Sequence, residues 1–185
     1  MKKSAFYLAI ICVGISLSSC KKDDPVEANE EELITTVLLQ FNSGANAPLL
    51  YEFSDPDGPG GNNPISDNII LEANTQYTLS IRLLDESKTP PVDISEEVEE
   101  EANDHRLYLI PGGNQNINSI ETTDSDSEGR PLGLKYTITT GSGSQGTLRL
   151  VLRHYGNGGK ESSDPVDSPK SSTDVDVEFQ TAIPE

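Results

Sequence analysis

The chain has 185 residues, of which 34% are hydrophobic, and carries 31 Asp and Glu against 13 Lys and Arg, a formal charge of −18. That balance repels nucleic acid and anionic lipid headgroups, and it attracts cations or a basic partner surface. The length is that of one domain with appendages, long enough to bury a core.

Lys2 and Lys3 open the chain, an apolar run covers 6–15, and Leu17-Ser18-Ser19-Cys20 follows. A positive start, an apolar stretch short of the about 20 residues of a spanning helix, and small residues before a break define a signal peptide over residues 1–19. Residues 17–20 resemble the lipobox of bacterial lipoproteins. That resemblance implies lipidation of the Cys20 thiol and cleavage before it, leaving 185 − 19 = 166 residues. Cleavage takes Lys2 and Lys3, so 13 − 2 = 11 basic groups face 31 acidic ones, a charge of −20. Each buried acyl methylene contributes about 0.8 kcal/mol, so several acyl chains hold such a protein at a membrane. Lys22-Asp23-Asp24 is similar to the Lys-acidic-acidic export signal of some Gram-negative lipoproteins, which implies the outer face of the outer membrane, with the periplasmic face as the alternative. Cys12 leaves with the signal peptide and Cys20 is acylated, so no thiol remains for a disulfide, a nucleophile or a Cys-ligated metal.

Residues 20–32, the lipidated Cys and a charged stretch with Pro25, lack apolar periodicity and read as a flexible tether. The domain proper is expected over 33–185. Strands are predicted over 33–41 and 48–53, a hairpin about Asn42-Ser43-Gly44-Ala45-Asn46, then over 68–71 and 77–84, where Tyr77, Leu79, Ile81 and Leu83 alternate with polar residues. The junction from Leu71 to Tyr77 resembles the corner of fibronectin type III and related immunoglobulin-like domains, which implies a Tyr77 hydroxyl bonded back to the backbone.

A helix is predicted over 93–105. Asp93 caps it, its first turn is acidic, and Ile94, Val98 and Ala102 form a narrow apolar stripe that His105 extends. Further strands are expected over 106–110, 117–122, 134–140, 146–155 and 174–183, the last with Asp174, Asp176 and Glu178 on its wet face. The polar 156–173 insert is expected to be mobile. These elements predict an all-β fold: an antiparallel immunoglobulin/fibronectin-like β-sandwich of about eight strands with one short helix.

Two constellations carry candidate chemistry. If the helix end meets the end of the 146–155 strand, Glu101, His105 and His154 supply a carboxylate and two imidazoles to zinc or copper. Asp124, Asp126 and Glu128 place oxygens at alternate positions before Gly129, the first half of a calcium-loop spacing, although Lys135 stands where the bidentate Glu belongs. No nucleophile elbow, phosphate loop or carboxylate pair in an apolar pocket is present, so no enzyme activity is expected.

The acidic Glu-Glu-Val-Glu-Glu-Glu segment ending in His105, the acidic turn before Pro131-Leu132-Gly133, the Leu-Arg-His strand and the final Asp-Val-Asp-Val-Glu-Phe strand together resemble a group of small Gram-negative lipoproteins. Members are often labelled type 1 periplasmic-binding-fold proteins and accompany outer-membrane receptors. The resemblance implies a non-catalytic binding module accessory to receptor-driven uptake. The label's fold, two doubly wound α/β lobes, conflicts with one short helix among many strands. A metal-binding lipoprotein and a structural or adhesive surface domain are the alternative expectations.

Overall fold

The computed structural model describes residues 32–44, 46–58, 61–156 and 159–185. The lipobox, Cys20, the export signal and the tether up to residue 31 lie outside them. Period-two alternation organises what is described. Its strands are Thr36–Asn42 (β1), Leu49–Ser54 (β2), Ile65–Ser66 (β3), Ile69–Ile70 (β4), Gln76–Asp85 (β5) and Val92–Asp93 (β6). After the helix Ile94–Glu100 (α1) come His105–Gly113 (β7), Ile117–Thr122 (β8), Lys135–Thr140 (β9), Ser144–His154 (β10) and Ser172–Ile183 (β11).

One sheet runs β3-β2-β1-β5-β9-β8 with β6 against β5, and the other runs β4-β11-β10-β7. All pairings are antiparallel except β4 with β11. Every second residue turns inward: Val37, Leu39 and Phe41 on β1, Tyr77, Leu79, Ile81 and Leu83 on β5, and Leu148, Leu150 and Leu152 on β10 are all buried. The faces meet through edge-on rings, Phe53 of one sheet against Phe179 of the other at 6.4 Å, while Phe41 packs edge-on against Tyr77 within the first sheet at 5.9 Å. This is the all-β sandwich the alternation predicts, and no doubly wound α/β lobe is present among the described residues. Nor is any helix there long and apolar enough to cross a membrane.

The expected corner is formed. The Tyr77 hydroxyl accepts the Glu72 backbone N–H at 2.8 Å. Both two-residue strands missing from the sequence reading, β3 and β6, are edge pairings too short to carry an alternating pattern.

Two expectations are corrected. The helix stops at Glu100 and does not reach His105. Asp93 caps it as predicted, its carboxylate accepting the Ser95 N–H at 3.1 Å, but residues 101–104 turn away from the helix. From His105 the burial pattern has period two, with His105, Leu107 and Leu109 inward. Pairing β7 along β10 satisfies a whole strand of backbone groups, which one more helical turn would forgo.

The described part of the polar insert after β10, residues 159–171, is packed against the sheet, in contrast to the mobility its composition predicts. Arg106 Nη1 donates to the carbonyls of Glu161, Ser162 and Asp164, and Tyr108 donates to the Asp164 carbonyl. Arg153 holds the carbonyls of Ser168 and Ser171. Tyr108 and Arg153 alternate with the core residues of β7 and β10, so the insert lies on the outer face of that sheet, and Val151 on this face is buried.

Candidate metal centre

His154 ends β10 directly opposite His105, which begins β7. Both belong to the inward phase of their strands, so the two imidazoles meet at one end of the sandwich with ring centroids 4.3 Å apart. Glu32, just upstream of β1, reaches across from the other sheet: its Oε1 lies 2.8 Å from His105 Nε2 and 3.7 Å from His154 Nδ1. Asp174 completes the group, and ligand atoms of all four residues lie within 4.8 Å of one another.

Asp174 arrives through an irregularity. Leu152 pairs with Val175 but Arg153 pairs with Thr173, so Asp174 is the extra residue of a β-bulge. Strict alternation puts Asp174 on the wet face with Asp176 and Glu178. The bulge re-aims it. Its half-buried state contrasts with the exposure of those two.

The chemistry of the four groups is that of a borderline cation site. His105 Nδ1 lies 3.2 Å from the Glu101 carbonyl, which can only accept, so that nitrogen carries the proton and Nε2 faces the cluster. A ligating imidazole commonly donates its other N–H to a backbone carbonyl in this way, which fixes tautomer and ring plane. Glu32 Oε2 and His154 Nδ1 are buried with no hydrogen-bond partner. Unsatisfied buried polar atoms are costly and infrequent, and an ion at the centre satisfies both. Two neutral imidazoles and two carboxylates balance a divalent charge. Ligands on a tetrahedral ion at about 2.0–2.1 Å stand about 3.3 Å apart, so occupation opens the 2.8 Å contact of Glu32 with His105 and draws the more distant ligand atoms inward.

In the absence of an ion, charge within the cluster is settled by a proton. Burial pushes the His105 pKa down, but the hydrogen bond and charge of Glu32 prevail and raise it. Burial likewise pushes Glu32 up, yet His105 holds its carboxyl below the usual value. Both shifts favour the charged forms at this contact, where the Glu32 and His105 side chains are 5% and 0% exposed.

The structure brings together His105 and His154 of the predicted trio and replaces Glu101. The Glu101 side chain is exposed because the helix register that put it one turn before His105 ends at Glu100, and only its carbonyl serves the site. Its place is taken by Glu32, assigned to the tether, and Asp174, assigned to a wet face. One signal was available for His105: the alternation of Leu107 and Leu109 extends back to it. Glu32 has none, being one acid in an acidic run.

The predicted calcium residues are committed elsewhere. Asp124 accepts the N–H groups of Gly133 and Leu134 at 2.9 and 2.8 Å. Gly133 itself has φ +98°, and a Cβ there would lie 2.3 Å from the Leu107 carbonyl oxygen. Asp126 accepts from the N–H groups of Glu128 and Arg130 and from Arg130 Nε, and it pairs with Lys160 at 3.1 Å. Glu128 is exposed, 3.5 Å from Arg130. These oxygens stabilise a turn rather than converging on a hard cation, which needs six or more. Lys160, from the insert, is the group sequence reasoning missed altogether. Fully buried, its ammonium donates to the carbonyls of Ala102, His105 and Pro131, and so fixes the backbone that presents His105.

In comparisons with known proteins, no family model, no curated protein and no solved structure matches the chain. What fold and site define by themselves is a β-sandwich domain with a buried His₂-carboxylate₂ cluster at one end.

Proposed function

We propose that this protein is a lipid-anchored, non-catalytic metal-binding domain that takes a first-row divalent cation, zinc above all, at Glu32, His105, His154 and Asp174. The observation that carries the reading is the convergence of these four ligands with Glu32 Oε2 and His154 Nδ1 buried and unsatisfied. Imidazole nitrogens favour zinc or copper(II) over calcium. Four protein ligands close a tetrahedral shell and leave no position for a reacting water, which is why the function is retention rather than catalysis. Anchoring at the outer membrane, facing outward, rests on Leu17-Ser18-Ser19-Cys20 and Lys22-Asp23-Asp24.

Calorimetric titration of the membrane-purified chain with zinc chloride tests the proposal. One ion per chain is expected in the native protein and none in a His105→Ala/His154→Ala double variant. Absence of heat, together with an unchanged melting temperature, would overturn it. Docking to an outer-membrane receptor is a separate proposal that rests on the sequence resemblance, and co-purification with such a receptor tests it.

A further inference from the structure

Three of the four ligands belong to one sheet and sit at its same end: the first residue of β7, the last residue of β10 and the bulge near the start of β11. The fourth does not. Glu32 precedes β1, which lies in the opposite sheet. We infer, building on the metal-binding reading above, that occupation of this centre clamps the segment 32–35 that enters the domain onto the four-stranded sheet, so that metal retention and the ordering of this segment are coupled.

What holds this segment is local. Thr35 is pinned to the first sheet: its N–H donates to the Leu84 carbonyl at 2.9 Å, and its carbonyl accepts the Asp55 N–H at 2.8 Å. Its hydroxyl oxygen accepts the Glu86 N–H at 2.8 Å. Upstream of Thr35, Leu33 is 48% exposed and Ile34 only half-buried, so apolar burial restrains this stretch weakly. The Glu32 carboxylate, by contrast, is almost completely enclosed between two imidazoles of the far sheet. A coordinate bond there replaces the 2.8 Å contact of Glu32 with His105 by a cross-link between sheets.

Coupling between two sites is reciprocal. If metal restrains Glu32, then whatever frees residues 32–35 from the sheet weakens metal binding correspondingly.

Hydrogen exchange followed by mass spectrometry on the full chain, with and without zinc chloride, reads this directly, with calorimetry on the same samples. Exchange of the peptide covering 32–35 is expected to slow about tenfold or more with zinc bound. Glu32→Gln should still bind zinc through His105, His154 and Asp174, weaker by more than the about 10–100-fold that loss of an outer-shell partner costs, and at saturation show no slowing at 32–35. Asp174→Asn, which keeps Glu32, should bind more weakly yet retain the slowing. Zinc bound at one ion per chain with unchanged exchange at 32–35, or undiminished affinity in Glu32→Gln, would overturn the clamp while leaving the metal site standing. A native chain that takes up no zinc would remove both.

Discussion

His105 and His154 are a cross-strand pair, the first residue of β7 facing the last of β10 with their rings 4.3 Å apart. Pairs of this kind ordinarily stabilise a sheet through apolar or opposite-charge contact. Two imidazoles supply neither. Placed on regular strands, their backbones fixed by the ladder and by the buried Lys160 ammonium, they are instead two nitrogen donors in set positions.

Zinc affinity separates the helix-register site from the bulge-built one. Glu101→Gln should leave affinity unchanged, since that side chain is exposed and only its carbonyl is used. Asp174→Asn should reduce affinity by more than the about 10–100-fold that loss of an outer-shell partner costs. Competition against a chromophoric chelator measures both, and the reverse order of effects would restore Glu101 as the ligand.

Acid sensitivity should trace to Asp126. Burial raises its pKa, but the Arg130 and Lys160 donors outweigh this and hold it at about 2, below the reference value of 3.8. A depressed folded pKa gives stability that is present above pH about 4 and lost as the pH falls toward 2, worth about 1–2 kcal/mol for this shielded carboxylate. Urea unfolding at stepped pH should show this loss in the native chain and its absence in Asp126→Asn, already weaker at neutral pH.

Lys160→Met should cost about 3–5 kcal/mol, because it leaves Asp126 without its buried partner and three carbonyls without a donor. Lys170→Met is the control: its ammonium is half exposed beside Asp164, so the change should cost less than about 1 kcal/mol. Urea midpoints compare the two. Equal small losses would return the insert to the mobile segment its composition suggests.

Tyr77→Phe removes the acceptor for the Glu72 N–H at the corner between β4 and β5 and should cost about 1–2 kcal/mol. Thermal melting detects it, and since Tyr77 lies outside the metal cluster, zinc affinity should not change.

The alternation of Tyr77, Leu79, Ile81 and Leu83, and of Val175, Val177 and Phe179, determined the all-β sandwich from sequence alone, because a side-chain period of two is a local property of the backbone. His154 was legible as a candidate for the same reason, at the end of a run whose phase can be read, whereas His105 was singled out on a helical stripe that the structure replaces by the start of β7. Tertiary structure alone decided the rest of the site. Glu32 and His105 are 73 residues apart, and their contact depends on how two sheets stack. Asp174 turns inward only because the ladder slips by one residue between Leu152 and Arg153. Lys160 is buried only because three carbonyls and Asp126 converge from separate segments. Periodicity reports which way a side chain points along its own strand; which partners it meets is fixed by register, bulges and packing between distant segments.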